Sequence, residues 1–437
     1  MAPCRLACER ARRTAGGVRS WGGAGGDHFR RRAAAGVADA DNWRSPSRRD
    51  GDPREPLCAP PRGEAGSVNQ ASRRDITGAG TSVRPQERLD APLSELTTLR
   101  LGGTARRLIE PGTAEEAIEA VTAADAVGEP VLVMAGGSNL VIADAGFEGT
   151  VVRIIARGVS AKMSDDRVRL FVAAGEPWDE VVARSVADGL AGIECLTGIP
   201  GSAGATPIQN VGAYGQQVAE TIVSVRAYDR GARAVVELSG AECAFGYRSS
   251  MFRRSARHVV LGVSFELERS SRGRPVRHAG LAGALGVQPG ARPPLSEVRE
   301  AVLTLRRGKG MVIDPRDPDS VSAGSFFLNP IVSLERFAAL ERRVTERFGE
   351  EVHPPVWPEA DDRVKTSAAW LIEHAGFHRG YGDGRVGISQ KHTLALINRG
   401  GATTAELVAL ACSLRDRVRA AFGVTLDPEP TLVGVKL

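Results

Sequence analysis

The stretch from Gly198 to Gly215 limits this chain more than any other. Five glycines and two prolines in 18 positions can form neither a regular helix nor a central strand. Such a segment makes a tight, irregular surface and presents successive backbone N–H groups at close range, which suits a diphosphate or a flat ring. A second small-residue loop, Ala135–Leu140, follows directly on the apolar run Pro130–Met134. Either loop alone reads equally as a turn, whereas the two together favour one extended dinucleotide. No P-loop and no strand-turn-helix G-x-G-x-x-G occurs, so the common nucleotide folds are excluded.

The charge of +5 over 437 residues is unevenly distributed. Residues 1–90 hold 17 Arg and 11 acids and no Lys, so the remaining 347 residues sum to −1. The folded part is therefore not a basic nucleic-acid surface. The first 90 residues are rich in Arg, Gly, Ala and Pro without apolar periodicity, and read as a disordered extension. They lack the apolar core of a secretory signal, and their acids argue against a transit peptide. No run of about 18 apolar residues occurs, so no membrane association is expected. Cys4, Cys8, Cys58, Cys195, Cys243 and Cys412 form no C-x-x-C pair and share no ligand spacing with histidine, which predicts a reducing, cytoplasmic setting and no metal site.

Beyond residue 90 strand and helix signals alternate. Thr113 begins a helix with acids in its first turn, and Thr150–Ile155 is a strand, giving a small α/β unit. Strands dominate from Val168 to about Leu267, with one helix at Trp178–Ala187 and a further one at Ser296–Arg307. A third region has helices at Leu334–Phe348, Ser367–Ala375 and Thr404–Phe422.

Three more segments could hold chemistry. Phe245–Phe252 packs Tyr247 and Arg248 among aromatics and hydroxyls, where a guanidinium could meet an anion, or could simply stack at the surface. In Ser322–Pro330 a glycine frees the backbone beside two phenylalanines, so Ser325 is either a rigidly held proton donor or part of a packed turn. Glu429 lies between Pro428 and Pro430, which fix its position; most acids in such terminal segments are merely solvated.

In this order and spacing the segments resemble the UDP-N-acetylenolpyruvoylglucosamine reductases, the MurB family, over about Leu93–Leu437. Thr97–Gly103, Lys365–Ile372 and Ser389–Ala395 add to the match. The resemblance implies an α+β protein, with a two-part FAD-binding fold of the vanillyl-alcohol oxidase type and a C-terminal α+β substrate-binding lobe. The implied divisions are 91–155 for the first FAD-binding part, joined by 430–437, then 156–310 for the second and 311–429 for the substrate lobe. Non-covalent FAD would contact Gly136, Gly137, Ser138, Asn139, Gly198, Gly201, Ser202, Gly204, Thr206, Asn210, Gly212 and Ala213.

NADPH would reduce the flavin, which would pass a hydride to UDP-N-acetylglucosamine enolpyruvate and give UDP-N-acetylmuramate for peptidoglycan synthesis. By resemblance Arg248 and Glu429 stabilise the charge that develops on the substrate and Ser325 protonates its α-carbon, while Tyr247, Lys309 and Asn329 touch the substrate. His392 is a weaker substrate or cofactor contact. The 77-residue separation of Arg248 and Ser325 suits the longer-insert members, in which a loop tyrosine closes over the substrate. This chain departs there: no tyrosine lies between Tyr247 and Tyr381, and His278 stands in its place. A monomer is expected.

Two rival readings are a sugar or alcohol oxidase of the same fold and a non-catalytic protein that binds nucleic acid through its tail. The absence of His and Cys from both flavin loops argues against the covalent flavin common in the first. Deletion of residues 1–90 would separate out the second.

Overall fold

The computed structural model describes residues 86–437, and the extension read over residues 1–85 lies outside the described residues. Two compact units divide the chain. The second, Ala79–Pro355 with Glu359–Leu437, holds every feature below; of the first, only the short strand Val356–Pro358 is described.

The first sheet has four strands in the order Gln86–Pro92, Thr104–Glu110, Phe147–Arg153 and Val131–Met134. The first pair is antiparallel and the others run parallel. Its opening strand corrects the boundary expected at residue 90. Leu89 is 70% exposed and Ala91 is the strand's single buried residue, so edge pairing rather than a buried stripe holds it there, and no apolar alternation marks it in the sequence. Thr113 caps the helix Ala114–Ala126 by accepting the Glu116 N–H. That helix buries Ala117, Ala120, Val121 and Ala124, and the first three pack with Ile109, Val152 and Ile154. Tyr228, Val259 and Leu261 of the second sheet close the same cluster.

The second sheet is antiparallel, ordered Ala234–Ser239, Ile222–Asp229, His258–Arg269, Arg167–Ala173 and Val159–Ser164. The helix Trp178–Ala187 starts with Trp178 fully buried against Phe265, ring centroids 5.5 Å apart. Burial of each ring stabilises the fold by roughly 2–3 kcal/mol. Trp178 Nε1 donates to Leu196 O at 3.1 Å, so the indole brings no unpaired polar group into this core.

The third region contains the antiparallel sheet Ser322–Ser325, Ala395–Asn398, Val386–Ile388 and the antiparallel pair Ile331–Ser333 with Arg363–Thr366. Its helices are Leu334–Phe348, Ala368–His374 and Thr404–Phe422. Thr403 and Glu406 form a reciprocal capping box on the last, and Gly423 at φ +72° ends it. The chain then turns back, and Thr431–Val433 pairs in parallel with Leu140–Ile142, far from it in sequence. Asn398 Nδ2 donates to Leu99 O at 2.9 Å, and Thr98 Oγ1 to Ser322 O at 2.8 Å, which ties the third region to the loop ahead of the first sheet's second strand.

Candidate active site

One cleft brings together segments from across the sequence. Its lining includes Gly136, Gly137, Ser138 and Asn139 from one loop, Gly201, Ser202, Thr206 and Gly212 from the other, and Arg248, Ser325 and Glu429.

The two glycine loops meet at backbone distance. A Cβ on Gly136 would lie 3.1 Å from Gly201 Cα, and one on Gly137, at φ +59°, would lie 1.9 Å from Leu96 O. Ser138 Oγ donates to Pro200 O at 3.1 Å and locks the loops together. Ser202 Oγ and Arg306 Nε are buried without a hydrogen-bond partner, and both residues line the cleft. Apolar walls from Val133, Met134, Trp178 and Ile199, a cradle that excludes side chains, and a guanidinium that donates to Met311 O at 2.7 Å and keeps its Nε unpaired fit a flat ring carrying a diphosphate. No Cys or His lies among the lining residues to anchor a flavin covalently.

Not every residue expected to touch the cofactor lines the cleft. Asn210 is turned inward: its Nδ2 donates to Gln217 Oε1 at 3.0 Å and Gly246 O at 2.9 Å, and its Oδ1 accepts from Ala219 N at 3.1 Å. Its amide is thus used up in shaping the loop. Gly204 allows Ala174 to approach, with a Cβ meeting it at 2.5 Å. Gly198 donates its N–H to Asp179 Oδ1 at 2.7 Å, and Ala213 pairs with Gln216. These four carry the loop's own architecture.

Arg248, at φ +48°, holds a backbone conformation that costs an arginine about 1 kcal/mol. The turn Gly246–Ser249 imposes it through reciprocal backbone bonds of 3.0 and 3.3 Å. Its guanidinium donates to Gly212 O and to Asn210 O, and its Nε lies 3.4 Å from Glu429 Oε1. Burial raises the Glu429 carboxyl above the usual carboxylate range, against the pull of Arg248 and Arg253. Glu429 N donates to Phe326 O at 2.9 Å, Leu328 N donates to Asp427 O at 3.0 Å, and Phe327 and Pro428 form a β-bridge. The acid is therefore pinned beside the strand that ends in Ser325. Phe326 and Phe327, both buried, anchor that strand's end.

Ser325 Oγ lies 3.4 Å from His392 Nε2. Burial, then the charges of Lys309 and Arg379, push the imidazole down to about 4, so it is neutral at ordinary pH. Lys309 Nζ lies 6.0 Å from the centre of the Tyr214 ring, and burial lowers its pKa. Tyr247, Lys309, Asn329 and His278 do not line the cleft. Tyr247 packs under Arg248 and Lys365, at 5.6 and 5.0 Å. Asn329 Oδ1 accepts from Ala368 N at 3.0 Å and supports the start of a helix. His278 Nδ1 accepts from Leu281 N at 3.2 Å, capping the helix Ala279–Leu285, and its ring meets Tyr214 edge-on at 5.2 Å.

Arg253 and Arg306 escaped the sequence reading. Among 57 basic residues nothing local separates these two from surface arginines, and only their positions in the cleft do so. Among the described residues no three His, Cys, Asp or Glu side chains gather as a metal ion requires.

A family model for the FAD binding domain matches residues 105–237, and one for the C-terminal domain of UDP-N-acetylenolpyruvoylglucosamine reductase matches residues 316–433. A UDP-N-acetylenolpyruvoylglucosamine reductase from Thermobifida fusca is 56% identical over 349 residues, covering 80% of this chain and 98% of the relative. The chain belongs to the UDP-N-acetylenolpyruvoylglucosamine reductase family. A second member of that family, from Streptomyces coelicolor, is 57% identical over 354 residues, 80% of this chain and 91% of its own. The crystal structure of the reductase (MurB) from Thermus caldophilus superposes with a TM-score of 0.53 at 23% identity, covering 80% of this chain and 99% of that one. The α+β class and the FAD-binding fold expected from the sequence are those of the reductase family.

Proposed function

We propose that this chain is an NADPH-dependent, FAD-containing oxidoreductase that reduces UDP-N-acetylglucosamine enolpyruvate to UDP-N-acetylmuramate. One observation supports it above the others: Arg248, Ser325 and Glu429, from three distant segments, line the same cleft as both glycine loops. Gly136–Asn139, Gly201, Ser202, Thr206, Gly212 and Arg306 would hold FAD, which when bound supplies the reducing electron pair.

The remaining chemistry falls to the protein. Reduction of the enol ether places one hydrogen with the electron pair on the β-carbon and leaves negative charge on the α-carbon and carboxylate. Arg248 opposes that charge, and Glu429, whose carboxyl burial shifts toward the protonated form, would in that form donate a hydrogen bond to it. The Ser325 hydroxyl gives its proton to the α-carbon and recovers one from water. A serine can do so because the carbanion is far the stronger base. Ser325, backed by His392 and fixed by Phe326 and Phe327, needs no further activation.

The nucleotide-sugar part of the substrate would extend beyond the cleft toward Tyr247, Lys309, Asn329 and His278. The domain division follows the same reading: 91–155 with 430–437, 156–310 and 311–429. The return of Thr431–Val433 onto Leu140–Ile142 supports the first of these. A cytoplasmic monomer without nucleic-acid or membrane partners completes the proposal; among the described residues no helix is long and apolar enough to cross a membrane.

The test is an absorbance spectrum of the full-length protein, taken anaerobically with NADPH and then with the enolpyruvyl nucleotide. Flavin colour that bleaches and returns is the expected result. Bleaching without return would remove the proposed acceptor, and a protein unable to take up FAD would remove the reading altogether. Deletion of residues 1–85 should leave both steps intact, because every residue invoked lies outside them.

A further inference from the structure

Arg248 and Glu429 are 181 positions apart, yet their backbones share one side chain. Arg253 donates from one terminal nitrogen to Arg248 O, and from the other to Pro428 O at 3.3 Å and Glu429 O at 3.2 Å. We infer that Arg253 is a positioning residue for the reduction, a planar clamp that sets the distance between the guanidinium of Arg248 and the carboxyl of Glu429. The inference rests on the function proposed above.

The geometry requires a guanidinium. Three carbonyls on two segments are met from two nitrogens held in one plane, whereas an ammonium is a point donor on a flexible stem. Arg248 also needs an outside hold, because its left-handed backbone at φ +48° is unfavourable for a side chain of that kind. Arg253 closes the six-residue segment Arg248–Arg253 over it and ties that segment to the one that carries Glu429. Asn139 reaches the same Glu429 carbonyl at 3.5 Å, and Thr431 N donates to Asn139 O at 2.9 Å, so the clamp continues into the first glycine loop. Charge adds to shape: Arg248 and Arg253 are the two cations that face the Glu429 carboxyl, with Tyr247 nearby and Asp427 close to Arg253. Loss of Arg253 leaves Arg248 alone to oppose protonation of the acid.

The experiment compares wild type, Arg253→Lys and Arg253→Met as full-length holoenzymes, with the two half-reactions followed separately by flavin absorbance. Bleaching by NADPH should stay within about threefold of wild type, while colour return with the enolpyruvyl nucleotide slows by about 30-fold or more in Arg253→Met. The loss should appear in the maximal rate rather than in the substrate concentration needed for half of it. Arg253→Lys should recover part of the rate, and the alkaline limb of the return step should move to higher pH in Arg253→Met. A packing role would instead cost flavin retention or slow both steps alike, and either result would overturn the clamp, as would a return step unaffected in both variants. Should Arg253→Met fail to fold, Arg253→Lys decides the matter by the same split between the two steps. A wild-type protein whose colour does not return would overturn the reductase reading itself.

Discussion

His392 Nε2 stands 3.4 Å from Ser325 Oγ, across 67 residues of sequence, and the imidazole is held neutral. Its pKa lies at about 4, below the usual value of 6.5. In this window the unfolded chain binds a proton that the folded chain refuses, so stability falls as the pH drops from about 6.5 to about 4. His392→Gln should remove part of that acid sensitivity: urea unfolding at pH 7 and near pH 4.5 should differ less in the variant than in wild type, by on the order of 2 kcal/mol. Equal acid losses in the two proteins would show that the ring is not held neutral.

Ser325→Ala should separate the two half-reactions. The variant keeps the flavin cradle, so bleaching by NADPH stays near wild type. The return of colour with the enolpyruvyl nucleotide should slow by about a thousandfold, within the range expected for loss of a positioned proton donor. Rapid-mixing absorbance reads both steps, and comparable slowing of the two would refute the assignment.

Glu429 predicts a pH profile. Burial lifts its pKa, and the protonated form is the one proposed to act, so the return step should slow as the pH rises through that raised value. Glu429→Gln keeps a neutral donor but cannot ionise. Its return step should be slower by about a hundredfold at mildly acidic pH, with the alkaline limb flattened. Rates of the isolated step between about pH 5 and about pH 9 check this. A variant that retains the wild-type alkaline limb would place the titration elsewhere.

Gly137 is a site where space and backbone conformation agree. At φ +59°, with Leu96 O only 1.9 Å from any Cβ, alanine would strain the turn and push two loops apart. Gly137→Ala should lose more than about 2 kcal/mol and most of its bound flavin. Thermal unfolding and the ratio of flavin to protein absorbance measure these directly. Gly128, at φ +68° with no atom within 4 Å, is the control: strain alone without the clash, and no change in flavin content.

The sequence made some of this legible and hid the rest for physical reasons. The helix Trp178–Ala187 could be read to its ends, because an apolar face and a preceding proline mark it locally. The helix Ala279–Leu285 could not: Gly280 and Gly283 weaken its signal, and it is held by the His278 cap and the burial of Leu281 and Ala282. The strand Gln86–Pro92 was missed because its partner across the sheet, rather than its own pattern, defines it. Arg248, Ser325 and Glu429 were singled out by the resemblance of their segments to a family, since each motif alone reads equally as packing or surface, and the structure brings all three to one cleft. His392 behind Ser325 and Arg253 between the other two depend on contacts that no single segment announces. Asn210, expected to touch the cofactor, has its side-chain amide engaged within the loop's own hydrogen bonds, which no motif announces.

The parallel pairing of Thr431–Val433 with Leu140–Ile142 also couples two parts of the cleft. Glu429 stands two positions ahead of the first of these strands and Asn139 one position ahead of the second, so a single ladder seats the acid and the first glycine loop as a unit. Whatever unfastens that ladder displaces both at once.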